Sequence, residues 1–598
     1  MNYSCRIDGE VMRCVITADR DLNTPTFCFS GMGPMLAVDG GMTLRTVGSY
    51  TEVALPNLRA DEPHNVTIKY DGGFIPANRA WMPLGPYLRV EGEILELPPT
   101  EAGVNTDHLG KTEPFDGLRI VPQPTSYELA NDTISVTRFA SNDPAFAAVH
   151  DLAVRRGFGG FVDKAGHQVE FVEENMATDA YRLEISADRI TVFSSSYGGR
   201  FYAGITLLTL VNMHNGTLPC GTVTDTPRFT WRGQHLDTAR HFYEPQTILD
   251  LLDLMALLKM NRFHWHFADD EAFRLQIDCL PELWQQTETR GEGHLMPALF
   301  AGGPESGGSY SKPNAQKIIA HAAALNIEVM PEIECPAHAL AIAHVYPEVR
   351  DPTDNGAETS VQGYKGNVLN PAMPKTWEIV EAIAKEVGEL FPFGHLHLGC
   401  DELPKDTWMG SPKARALMAE HGLETTQDLQ GWMMEKLAQV VVRNGQRPAA
   451  WEEAAQGKNG GIGNNAILFT WTGQGPGLEA ARAGYDVVMA PAQHVYLDMA
   501  WSKSADDWGA NWAAYVSLDD TINWEPVPED DLKDRIIGVQ GEFWSEFTTE
   551  DSQLWPMLMP RILGVASKAW QEQDINAKDL RQIAGHYRDL PLGLGDTD

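Results

Sequence analysis

From about residue 226 onward the chain repeats one unit, a short apolar run that ends in charged or aromatic residues and gives way to a helical stretch. Eight such runs fall within about 320 residues: TWRGQHLD, RFHWHFADD, IEVMPEIE (Ile327–Glu334), HLHLGCDE (His395–Glu402), PAAWEE (Pro448–Glu453), AILFTW (Ala466–Trp471), DVVMA (Asp486–Ala490) and IIGVQGEFW (Ile536–Trp544). Strands buried on both faces read as near-continuous apolar runs, and eight of them interleaved with helices predict a closed (β/α)8 barrel. Its active site is then expected at the C-terminal ends of the strands. A doubly wound open sheet is the competing topology, but no Gly-rich phosphate loop opens any of the helices.

The sequence upstream has a different texture. Up to about residue 110, short alternating segments such as Met42–Gly48 and Asn65–Tyr70 are divided by Gly, Pro and Asp, which suits a β-sandwich. Pro99–Pro114 reads as a linker. Strands at Ala180–Ser186 and Arg189–Ser195, followed by the helical Tyr202–Met213, suggest a small α+β domain. The expected organisation is therefore an α/β protein with a sandwich over 1–110, an α+β domain over 115–225 and a catalytic barrel over 226–598. The sandwich is equally open to a sugar-binding, a packing or a dimerisation role, so a homodimer stays open.

Charge narrows the partners. The 46 Lys and Arg face 82 Asp and Glu, a net charge of −36, whereas a protein that tracks nucleic-acid phosphates or anionic lipid needs clustered cations. The seven cysteines lack C-x-x-C spacing and are odd in number, so reduced thiols are expected. The opening MNYSCRIDGEVMRCV has no apolar signal-peptide core, and no run of 18 apolar residues occurs. A cytoplasmic location is the expectation.

The strand ends are rich in carboxylates and indoles: Asp237, Asp269, Asp270, Glu332, Glu334, Asp401, Glu402, Glu452, Asp498 and Glu546, with Arg232, Trp451, Trp471, Tyr496 and Trp544. Carboxylates serve as acids, bases and hydroxyl acceptors, and flat aromatic faces stack on the apolar side of pyranose rings. This mixture points to a neutral carbohydrate. Two adjacent carboxylates, Asp401 and Glu402, close HLHLGCDE. Ordinary glycosidases set two carboxylates on opposite sides of the scissile bond, whereas neighbours on one strand end suit catalysis assisted by the sugar's own 2-acetamido group.

Several segments in order, PRFTWRGQHLDTARHF, KMNRFHWHFADDEAFRLQI, EVMPEIECPAHA, HLHLGCDELPKDTW, VYLD and GEFWSE, resemble the β-N-acetylhexosaminidases of glycoside hydrolase family 20. The stretches VPQPTSYEL and SYGGRFYAGITLLTL resemble the α+β domain that precedes the barrel there. The resemblance implies exo-acting, retaining hydrolysis of terminal β-linked GlcNAc or GalNAc through an oxazolinium intermediate. It implies Glu402 as general acid and base, Asp401 as the group orienting the acetamido, and Tyr496 as donor to its carbonyl oxygen. Trp451, Trp471 and Trp544 would wall the ring, Arg232, Asp498 and Glu546 would grip its hydroxyls, and Asp269 with His338 would form a relay behind the acid. It implies no cofactor. An acid working near neutral pH also needs a raised pKa, and Asp401 beside Glu402 would supply the shift.

Departures from the family pattern are Cys400 in place of a second glycine, Glu334 for aspartate, Ala337 for the glycine before His338, and Ala272-Phe273 ahead of Arg274. A thiol at 400 suggests sensitivity to alkylation. Two other readings stay open. His264 and His266 share one face of their strand and would suit a metal-dependent hydrolase, and the whole chain would also serve as a non-catalytic sugar-binding protein. Asp237 and Arg240 read as a structural ion pair beneath the site.

Overall fold

The computed structural model describes residues 1–598 apart from 101–107, 110, 116, 297–298, 355–359, 362, 574, 588–589 and 591–598. Most of the Pro99–Pro114 linker lies outside the described residues.

Residues 2–96 form two antiparallel sheets. One orders Asn2–Asp8, Val11–Thr17, Pro63–Tyr70 and Met35–Asp39, and the other Met42–Val47, Tyr50–Ala54, Thr26–Ser30, Leu84–Val90 and Glu93–Glu96. Alternation aims Met12, Cys14, Ile16, Phe27, Val66 and Ile68 into one dry core between the sheets. A six-stranded sheet follows, carrying the helices Pro144–Arg155 and Tyr197–Met213. The second helix begins five residues ahead of the apolar run because the Ser196 hydroxyl accepts from the Gly199 N–H and caps it.

All eight expected runs become parallel strands of a closed barrel: β1 (Trp231–Asp237), β2 (Arg262–His266), β3 (Glu328–Glu332), β4 (His395–His397), β5 (Arg447–Trp451), β6 (Ile467–Thr470), β7 (Asp486–Met489) and β8 (Ile536–Gly541). β8 pairs back onto β1. Helices at Pro245–Leu257, Lys312–Ala324, Pro374–Leu390, Thr426–Arg443, Gln474–Arg482 and Arg561–Trp570 surround it. The second helix after β4, Thr426–Arg443, starts on a capping box in which Thr425 and Asp428 satisfy each other's backbone N–H groups. β5 leads only into a single 3-10 turn, and β7 into a four-residue helix and a long loop.

The barrel interior is polar towards the C-terminal end. His264 and His266, one residue apart on β2, both point inward, where the Glu332 carboxylate lies 3.1 Å from His264 Nε2, 2.7 Å from His266 Nδ1 and 2.7 Å from His397 Nδ1. Glu332 also accepts from the Trp451 indole at 2.9 Å, so this buried cluster holds a residue of the pocket floor above it. No helix among the described residues is long and apolar enough to cross a membrane.

Candidate active site

A pocket opens at the C-terminal ends of the barrel strands, with a cavity volume of about 250 Å³. That is below the range of drug-sized sites and suits a small ligand. The loops after seven strands, together with the end of β5, supply its walls: Arg240 after β1, Phe300 after β2, Tyr364 after β3, Asp401 and Glu402 after β4, Trp451 closing β5, Trp471 after β6, Tyr496, Asp498 and Trp512 after β7, and Trp544 and Glu546 after β8.

The acid pair sits on a backbone that leaves strand geometry early. HLHLGCDE forms a strand only to His397; Cys400 has φ +85° and Glu402 φ +50°. Left-handed conformations at non-Gly residues cost energy and cluster at functional sites. The family's glycine at position 400 fits this requirement; here Cys400 meets it while fully buried, with Gln430 Nε2 3.1 Å from both its carbonyl oxygen and its sulfur. Burial pushes that thiol well above its usual range, so the expected sensitivity to alkylation at Cys400 is corrected: an enclosed, protonated thiol is a poor target.

His338 ties the acid pair together. Its Nε2 lies 3.2 Å from Glu402 and 3.6 Å from Asp401, and its Nδ1 lies 3.4 Å from Asp269. Arg240 Nη2 meets Asp269 at 2.9 Å, which makes a chain of alternating charge running from Arg240 to Glu402. Tyr364 donates a short hydrogen bond to Glu402. Burial works against charge on His338, but Asp269 and Asp401 outweigh it and hold the imidazolium well above the usual range. Burial raises Asp401, aided by the charge of Glu402 and opposed by His338. Burial also pushes Glu402 up, but the His338 hydrogen bond and charge and the Tyr364 hydroxyl outweigh it and leave that carboxyl below its usual range. The neighbour effect expected for Glu402 thus falls on Asp401, because His338 neutralises the outer carboxylate.

Aromatic faces form the rest of the wall. Trp544 lies 5.8 Å from Trp451 and 6.4 Å from Tyr496, and the Arg240 guanidinium sits 5.0 Å over Trp544. Trp471 donates to Glu453, whose carboxyl burial pushes up to about 8. Asp498 and Glu546 both line the pocket; burial raises both, aided at Asp498 by the charge of Glu546, and Glu546 is pushed up to about 7. Asp498 Oδ1 is buried without a hydrogen-bond partner among the described residues.

Arg232, expected at the sugar, is elsewhere. It is the second residue of β1, so it lies at the opposite mouth of the barrel, where its guanidinium meets Asp179 at 2.9 Å, Tyr202 at 3.1 Å and the carbonyls of Lys259 and Phe229 at 2.8 Å. The arginine in the pocket is Arg240, which is at once partner of Asp237 at 3.1 Å and neighbour of Glu546 at 3.8 Å. The rule that chemistry sits at C-terminal strand ends separates the two, since Arg240 follows β1 and Arg232 begins it. Urea unfolding tests the assignment: Arg232→Met is expected to lose about 3–5 kcal/mol, the scale of breaking a buried ion pair from one side, with ligand affinity in the pocket retained.

All other expected residues, Asp401, Glu402, Tyr496, Trp451, Trp471, Asp498, Trp544 and Glu546, line this pocket, with Asp269 and His338 behind it. Sequence reasoning missed Tyr364, Trp512 and Met32. Tyr364 lies in a loop with no patterned signal, and Met32 comes from the N-terminal sandwich. Arg274, reached through Ala272-Phe273, braces the pocket from outside: its Nε meets the Ala239 carbonyl at 3.0 Å, beside Arg240.

Comparison with known proteins identifies what the chain is similar to. The model of glycosyl hydrolase family 20, catalytic domain, matches residues 229–573, and the model of its domain 2 matches residues 117–226. A beta-hexosaminidase of Vibrio furnissii is 35% identical over 65% of this chain, and the chain spans 64% of that relative's length. An N,N'-diacetylchitobiase of Vibrio harveyi is 27% identical over 81% of this chain and 67% of its own length. A solved exo beta-N-acetylglucosaminidase of Vibrio harveyi in complex with N-acetylglucosamine superposes with a TM-score of 0.85 at 26% identity, covering 99% of this chain and 98% of that one.

Proposed function

The chain belongs to glycosyl hydrolase family 20, and from that premise we propose that it removes single terminal β-linked N-acetylhexosamine residues from neutral oligosaccharides, retaining the anomeric configuration. One observation carries the reading: Asp401 and Glu402 share one wall and one histidine, His338. Two carboxylates so placed divide the labour. Glu402, with 38% of its side chain exposed, reaches the leaving oxygen and protonates it. Asp401, buried beside it, takes the acetamido N–H and turns the carbonyl oxygen onto the anomeric carbon. The Tyr496 hydroxyl donates to that oxygen, and Trp451, Trp471 and Trp544 exclude water around the methyl group. Asp498, Glu546 and Arg240 close the far end on the ring's outer hydroxyls, which limits the pocket to one terminal sugar. Glu402 then acts as base for the water that opens the oxazolinium.

The proton for the first step comes from the His338–Glu402 pair, which holds one proton at neutral pH, largely on His338. A sugar that displaces water from Glu402 removes its solvation and draws the proton across the 3.2 Å contact. This sets the pH dependence. Asp401 must be ionised, and its folded pKa is raised, so activity is lost on acidification at a pH above the roughly 3.9 of an ordinary aspartate. The pair must be protonated, and Asp269 and Asp401 hold His338 well above the usual imidazole range against its burial, so the basic limb lies above neutrality. Profiles of kcat/KM against pH on 4-nitrophenyl N-acetyl-β-glucosaminide check both limbs as macroscopic values; an acid limb below pH ~3.9 contradicts the part assigned to Asp401.

A thiazoline analogue of GlcNAc separates this mechanism from a covalent one. Strong competitive inhibition is expected, and indifference to the compound would argue for an enzyme nucleophile.

A further inference from the structure

The N-terminal sandwich reaches into the pocket. The turn after strand Thr26–Ser30 carries Met32 to the pocket wall, and Met32 packs against the sandwich core and the barrel core alike. At Gly31 a Cβ would lie 2.1 Å from the Met35 methyl group, the movable end of that side chain. The Met32 N–H donates to the Tyr70 hydroxyl at 3.1 Å, and that hydroxyl donates to the Trp81 carbonyl at 2.6 Å, so the turn is fixed to its own sheet.

The same face of the sandwich grips two barrel loops that each present an aromatic residue to the pocket. Asn78 Nδ2 donates to the Gly509 carbonyl at 3.1 Å, and Trp81 Nε1 to Asn511 Oδ1 at 3.1 Å. The next residue is Trp512, 53% exposed at the mouth and packed edge-on to Trp471 at 5.8 Å and Tyr496 at 5.9 Å. Ser30 Oγ donates to the Leu299 carbonyl at 2.6 Å, beside Phe300. These are polar contacts to backbone and amide groups, and they fix loop positions more than they add buried area.

Resting on the glycosidase reading above, we propose that the N-terminal sandwich is a specificity element of the sugar site: Met32, and the loops the sandwich clamps, form the outer rim that selects substrates with a second pyranose ring behind the terminal sugar. On that reading Asp498 and Glu546 hold the terminal ring, so whatever follows the scissile bond projects away from them, towards the mouth where Trp512 is exposed. There it meets a thioether and an exposed indole, surfaces suited to the apolar face of another neutral ring. A single-carbon aglycone gains nothing from that rim.

Titration calorimetry with two non-hydrolysable ligands, the S-linked analogue of N,N'-diacetylchitobiose and methyl 1-thio-β-N-acetylglucosaminide, tests this. The wild type is expected to prefer the disaccharide. Met32→Ala is expected to cut that preference about fivefold, the scale of one truncated interface contact, as is the double change Asn78→Ala with Trp81→Phe, while Met32→Leu keeps it. Equal weakening of both ligands, or a preference unchanged in both variants, overturns the proposal. So does a wild type with no preference, and if that protein still cleaves the oxygen-linked methyl glycoside the glycosidase reading survives. A wild type that neither binds nor cleaves any of these sugars removes the glycosidase reading, and the rim proposal with it.

Discussion

Glu402→Gln is expected to lower kcat by about 10²–10⁴-fold, the range over which a positioned acid or base contributes. The amide keeps the size of the carboxyl and can still accept from Tyr364 and His338, so the site stays assembled; what it lacks is a proton to give. The loss should therefore depend on the leaving group. Nitrophenolate departs with little protonation, so its glycoside should fall at the shallow end of the range. The second sugar of N,N'-diacetylchitobiose leaves as a strongly basic alkoxide unless protonated, so cleavage there should fall at the deep end. With a side chain 38% exposed, Glu402 carries little of the fold, and the thermal midpoint should hardly move. A variant that still cleaves the disaccharide within a few-fold of wild type would take the acid role away from Glu402.

Much of this arrangement was legible in the residues because parallel barrel strands bury both faces and their ends carry the chemistry. Each of the eight apolar runs became a strand, and Asp401, Glu402, Trp451, Trp471 and Trp544, at or just beyond the ends of β4, β5, β6 and β8, line one pocket. What escaped is what depends on direction or on distant chain. Arg232 and Arg240 lie eight residues apart on the same segment, and only the position of the strand end separates a bracing arginine from one in the pocket. Met32 reaches the site from a sheet about 200 residues upstream of β1, and no local pattern marks it. Tyr364 touches Glu402 from a loop without periodicity. The protonation of the acid pair escapes for a similar reason: adjacency of Asp401 and Glu402 is visible in sequence, whereas the imidazolium held beside them by Asp269 is a tertiary contact. Cys400 shows the converse, since its departure from glycine leaves the left-handed backbone in place and shifts the cost onto local strain.

Asp401→Asn is expected to damage turnover nearly as much, by about 10²–10³-fold, the cost of deleting one preorganised group that faces developing charge. Asp401 Oδ1 is buried and lacks a hydrogen-bond partner among the described residues, while Oδ2 lies 3.6 Å from His338 Nε2. An unsatisfied carboxylate oxygen is costly to bury, and here it is aimed where an acetamido N–H would arrive. Asparagine preserves the shape and removes the negative charge, so the neutral sugar should still bind, whereas the positive oxazolinium loses its counter-charge. Affinity for the thiazoline should accordingly fall further than affinity for the product GlcNAc. Stability should move the other way. Burial raises the folded-state pKa of Asp401, so its ionised form disfavours the folded state once pH rises above the unfolded value, and the penalty is present at neutral pH. Removing the charge is then expected to raise the thermal midpoint at pH 7 and to leave it unchanged near pH 3, where the carboxyl is already protonated. A variant that loses activity and stability together would mean that Asp401 serves the fold, and the substrate-assisted reading would lose its orienting group.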